Sequence, residues 1–101
     1  MKGENMFART STWTGPSDVL ERWAEHVATQ VQPTVKDASG NTGAVFLVDR
    51  SNGRALALTL WENEEAALAS DDLAERSRAK TIEATGIELV DRGRYEVVAR
   101  I

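Results

Sequence analysis

A chain of 101 residues has room for one hydrophobic core, so a single domain spanning residues 1–101 is expected. Its 42% hydrophobic and 28% charged residues exclude a fibrous or disordered chain, and a net charge of −4, from 16 acidic and 12 basic residues, leaves no basic stripe to neutralise a nucleic-acid backbone. With no cysteine and His26 as its single histidine, the sequence excludes disulfides, thiolate ligands and multi-histidine metal centres, and neither a metal nor a cofactor is expected.

Residues 6–13 mix apolar and β-branched side chains and stop at Thr14-Gly15-Pro16, which reads as a first strand. Pro16 suits a helix start, because its missing N–H would be unpaired there anyway. Beyond it, Leu20, Trp23, Ala24, Val27 and Val31 recur at three- and four-residue steps, the spacing of an amphipathic helix. Pro33 should end or kink that helix, since it removes a hydrogen bond and crowds the preceding turn. Residues 43–49 and 54–61 read as two strands joined through Asn52-Gly53, a pair that accepts the positive φ angles of a tight hairpin turn. Asn63 is placed to cap a short helix, Ser70 with Asp71 and Asp72 to start a second, and Gly86 to stop it. Residues 88–101 read as a last strand that alternates from Tyr95 to Ile101, with Gly93 marking a bulge or kink. This order is that of the ferredoxin-like βαββαβ plan, an α+β fold with a four-stranded antiparallel sheet. No apolar run approaches the roughly 20 residues needed to cross a bilayer and no signal segment is recognisable at the start, so a cytoplasmic protein with no membrane partner is expected.

In such a fold the helices cover one face of the sheet and leave the other bare, so the strands of a monomer should alternate apolar with polar residues. The two middle strands do not. Residues 44–48 have no polar member, and in residues 55–61 the leucines fill one side while alanines, Thr59 and Trp61 take the other. An uncovered face of this kind exposes several hundred Å², the size that marks an interaction surface. At ~25 cal/mol per Å², covering it supplies on the order of 10 kcal/mol before association costs. Pairing of two sheets into a homodimer is the simplest cover.

The short first strand, the Gly15-Pro16 helix start, the hairpin from Val48-Asp49 to Gly53-Arg54-Ala55 and the Leu60-Trp61-Glu62-Asn63-Glu64-Glu65-Ala66 junction together resemble the antibiotic biosynthesis monooxygenase-like family. The resemblance covers nearly the whole chain and implies that family's dimeric α+β barrel. It also implies a small-molecule ligand and, among the family's activities, oxidation of an aromatic metabolite without a cofactor. A haem-degrading branch is marked by an Asn on the first strand and by a Trp and a His after the hairpin. At those places this chain holds Ala8, Ser70 and Arg78, which sets haem degradation aside.

Candidate residues carry a plain reading beside the functional one. Trp23, on the apolar stripe of the first helix, either walls an aromatic ligand or is core, and core is the simpler account. Trp61 closes the third strand and either lines a pocket or packs on the helix that follows. Trp13 reads as a rim or interface residue with its N–H in water, and no chemistry is assigned to it. His26 is a general base if it borders a pocket, but its place at the edge of the apolar face suits a half-exposed structural histidine. The helix after Ser70 has little apolar bulk on its inner side, where Leu73, Ser77, Thr81 and Ala84 fall, so a cavity beside it is expected. Ser77 would line that cavity, and Arg78 would hold a phenolate, enolate or carboxylate there unless it is merely paired with Glu75. The function expected is thus a small-molecule-binding homodimer with a weak catalytic candidate pair, His26 and Arg78, or else a non-catalytic ligand-binding or structural dimer.

Overall fold

A computed structural model describes residues 5–101. Four strands, β1 (Phe7–Thr14), β2 (Asn41–Asp49), β3 (Arg54–Trp61) and β4 (Glu88–Glu96), form one antiparallel sheet in the order β2-β3-β1-β4. The helices are α1 (Ser17–His26), α2 (Gln32–Lys36), α3 (Glu64–Ala69) and α4 (Asp71–Thr85). This is the expected ferredoxin-like α+β plan. Among the described residues no helix is long and apolar enough to cross a membrane.

The first helix does not stop at Pro33. It runs on to Lys36, and the disturbance falls one turn earlier, as a π-helical stretch over Val27–Val31 in which Gln32 N–H donates to the Val27 carbonyl, five residues back. Pro33, which has no N–H to donate, follows directly on this widened turn. In the hairpin link the Asn52-Gly53 pair does not take the two positive φ angles expected of it. Arg50–Asn52 form a 3-10 turn, Asp49 accepts hydrogen bonds from Asn52 backbone N–H and side chain (3.2 and 2.9 Å), and only Gly53 has a left-handed φ, +66°. Asn63 caps α3 as expected, its Oδ1 accepting from Ala66 N–H at 2.8 Å. Ser70 starts α4 without a side-chain cap, because its hydroxyl turns back to donate to the Ala67 carbonyl.

The last strand is shorter than the alternation suggested. It ends at Glu96, leaving residues 97–101 without regular structure, and the register slips opposite Thr12 and Trp13, where Val90 is the extra residue, rather than at Gly93. Gly93 instead lies under the Tyr95 ring, 2.7 Å from where a Cβ would stand.

The core forms between the helices and one face of the sheet. Trp13, Leu20, Trp23, Ala55 and Ile87 are almost wholly buried there, with Val19 and Val27 beside them. Ala57, Thr59 and Trp61 share the inner face, so period-2 alternation sends Leu56, Leu58 and Leu60 to the other side. Val45 and Leu47 join them and stay 48% exposed. The inner face is therefore the one of small side chains, and the space they leave is where a cavity lies.

Candidate functional site

A cavity sits between the sheet and the helices, lined by strand residues Arg9, Ser11, Trp13, Ala57, Thr59 and Trp61. Trp23, the π-helical stretch and the inner side of α4 close it. The centres of water-sized molecules can occupy about 70 Å³, within an envelope of about 600 Å³ that runs out to its mouth. One water needs only ~10–15 Å³. A drug-sized ligand pocket starts near ~300 Å³, so a large ligand enters only if the lining yields.

Two of the three tryptophans are anchored in the same way. Trp13 Nε1 donates to Ser11 Oγ and Trp61 Nε1 donates to Thr59 Oγ1, each at 2.9 Å and each to the residue two places earlier on its strand. Trp13 is 3% exposed, so the expectation of a rim residue with its N–H in water is wrong: Ser11 supplies the acceptor that water would have. Trp23 is both core and cavity wall, so its two readings merge.

Polar chemistry enters from two arginines. Arg9 projects from β1 with its side chain only 12% exposed, and its guanidinium donates to Asp71 Oδ1 (2.6 Å), Ser70 Oγ (3.0 Å) and the Ala67 carbonyl. Arg78, equally buried, meets Glu75 Oε1 at 3.2 Å. The Nε–H of each is buried without a hydrogen-bond partner. The hydrogen bond from Arg9, helped by the charges of Arg94 and Arg78, holds Asp71 below the usual carboxylate range. Ser77 lines the cavity next to Arg78.

His26 does not reach it. It lines a separate crevice between the first helix and α4, with Gln30, Arg76 and Lys80, which shares only Val31, Thr34, Leu73 and Ser77 with the cavity. Among the described residues no cluster of three or more metal-ligating side chains occurs. Of the three places compared with the haem-degrading pattern, Ser70 and Arg78 line the cavity, while Ala8, facing Leu60 and Tyr95, points to the other side of the sheet. The residue of β1 that faces inward is its neighbour Arg9, which sequence reasoning missed. Its signal was present: Arg9, Ser11 and Trp13 are spaced by two, with Trp13 in the core.

Comparison with known proteins adds the following. No family model matches the chain. An uncharacterized protein of Mycobacterium tuberculosis, Rv2557, is 32% identical over 85 residues, 84% of this chain and 38% of that protein. Rv2558 of the same organism is 33% identical over 69 residues, 68% of this chain and 29% of its own length. The chain thus spans well under half of these relatives. Among solved structures, SnoaB, a cofactor-independent oxygenase from Streptomyces nogalater, superposes with a TM-score of 0.69 at 14% identity, over 96% of this chain and 97% of that one. A monooxygenase from the gene ActVA-Orf6 of Streptomyces coelicolor, solved with nanaomycin D, gives 0.68 at 14% identity over 96% and 88%. The heme-degrading protein Rv3592 of Mycobacterium tuberculosis gives 0.65 at 18% identity over 95% and 98%. At such identities the shared property is the fold.

Proposed function

We propose that this chain, antibiotic biosynthesis monooxygenase-like in fold, is one domain of residues 1–101 that pairs with a second copy and binds an aromatic metabolite in the tryptophan-lined cavity. The observation that carries this reading is the cavity itself, apolar on its walls and flanked by two buried guanidiniums. Flat indole walls suit a ring ligand, and a buried arginine favours the deprotonated form of a phenol or enol. An electron-rich anion of that kind reacts with dioxygen directly. For an anthrone-type methylene, one oxygen atom becomes the new carbonyl and the other leaves as water with the two hydrogens, so no external reductant is required. In this reading Arg78 holds the anion, while Trp23, Trp61 and Ser77 shape the pocket.

Haem does not fit the same place. His26, the single histidine, lies outside the cavity, so no imidazole stands ready to ligate iron, and the free space is far smaller than the macrocycle. A second, non-catalytic reading is favoured by that small free space: a ligand-binding or structural dimer whose cavity only needs to admit a compact ring.

Oxygen uptake with a panel of anthrones and quinols separates the two. The oxygenase reading expects uptake by the native protein, a loss of at least about ten-fold in Arg78→Ala, and an unchanged rate in His26→Ala. Absence of uptake alongside measurable binding of the same compounds selects the non-catalytic reading, and absence of both overturns the cavity as a ligand site.

A further inference from the structure

Beside the cavity runs a second, wider groove lined by Arg9, Asp71, Glu75, Arg78, Arg92 and Arg94, and Arg9 and Arg78 belong to both spaces. Its four arginines face two carboxylates. Asp71 Oδ1 is shared by Arg9 (2.6 Å) and Arg94 (3.1 Å), and Glu75 Oε1 by Arg92 (2.9 Å) and Arg78 (3.2 Å). The groove therefore holds an excess of two positive charges in a chain whose net charge is −4. The two Nε–H groups without partners belong to the two arginines that join groove to cavity. Buried donors are normally satisfied, and a guanidinium presents its donors in a fork that fits a carboxylate.

Resting on the proposed role of the cavity, we infer that the groove is an anion subsite for the same ligand: an aromatic compound bearing a carboxylate on a short arm, with its ring between the tryptophans and its carboxylate among Arg9, Arg78, Arg92 and Arg94. Two surplus positive charges are what such a group would neutralise. The strand spacing supports it, since Arg94 and Arg92 stand opposite Arg9 and Ser11 across the β1–β4 pair and so share the inner face of the sheet.

Isothermal titration of the chain with 2-naphthoate and with its neutral counterpart 2-naphthamide tests this. The amide reports the ring cavity alone, and the difference between the two reports the groove. The carboxylate is expected to bind at least about ten-fold more tightly at ~0.01 M salt, and the margin should shrink towards ~1 M salt as screening shortens from ~30 to ~3 Å. Arg94→Met, outside the cavity lining, should cut the margin several-fold without weakening the amide. Arg92→Gln, at a more exposed position that tolerates substitution, should reduce it in part. Equal binding of the two ligands by the native protein overturns the subsite and leaves the cavity reading standing. A margin that survives both substitutions also overturns it. Failure to bind either ligand removes the cavity reading and the subsite together.

Discussion

Arg9 shows how one side chain can organise a site. It leaves the sheet between Phe7 and Ser11, crosses to the start of α4, and ties Ala67, Ser70 and Asp71 to the first strand. Removing Asp71 would leave that buried charge with only neutral partners, a costly state for a group out of water. The pH dependence follows from the direction of the shift. Asp71 has a folded pKa below its ordinary value of 3.8, so its contribution to stability is complete above about pH 4 and is lost as pH falls through the folded value. Urea unfolding of the native chain and Asp71→Asn should therefore differ most at neutral pH and converge in strong acid. A gap that is constant down to pH 2 would contradict the pairing. At this scale the sequence was partly legible. Trp23, Trp61, Ser77 and Arg78 could be picked out by spacing and size, whereas the inward turn of Arg9 follows from its two-residue spacing to Trp13 only once Trp13 is placed in the core rather than at a rim.

At the scale of elements, the helix and strand positions follow periodicity, while the joints follow local chemistry that periodicity does not contain. The alternation of Leu56, Leu58 and Leu60 with Ala55, Ala57, Thr59 and Trp61 defined β3, but not which side the helices would take. They take the side with the small residues, because two tryptophans and Leu20 from elsewhere already supply the bulk. The link from α2 to β2 depends on Gly40, whose φ of +81° is left-handed and whose carbonyl accepts from Glu62 N–H at 2.9 Å. A Cβ there would stand 2.5 Å from the Ala66 Cβ. Gly40→Ala should thus cost at least about 2 kcal/mol, from strain and overpacking together, and lower the urea midpoint accordingly. An unchanged midpoint would mean that the link can relax without disturbing α3.

For the whole molecule, the outer face of the sheet is the feature left unmatched. Leu56, Leu58 and Leu60 stand beside half-exposed Val45 and Leu47, and Tyr95 lies 57% exposed on the same side. The proposed homodimer places this face against its copy, so each substitution on it is counted twice by symmetry. Leu58→Lys removes about 1.5–3 kcal/mol of burial per subunit and should weaken association at least ~100-fold while far-UV circular dichroism stays native. Sedimentation of the unsubstituted chain as a compact monomer at micromolar concentration would remove the pairing, though not the fold.

The widened turn at Val27–Val31 has a consequence for angular placement. A regular helix advances about 100° per residue, so Val35 would emerge about 120° around the axis from Trp23. One residue taken up by the bulge reduces that offset to about 20°, and Val35 arrives beside Trp23 and Val27 on the cavity wall. A helical wheel drawn with a single period misassigns the final turn for this reason, and the proline expected to end or kink the helix lies within the segment whose phase has been reset.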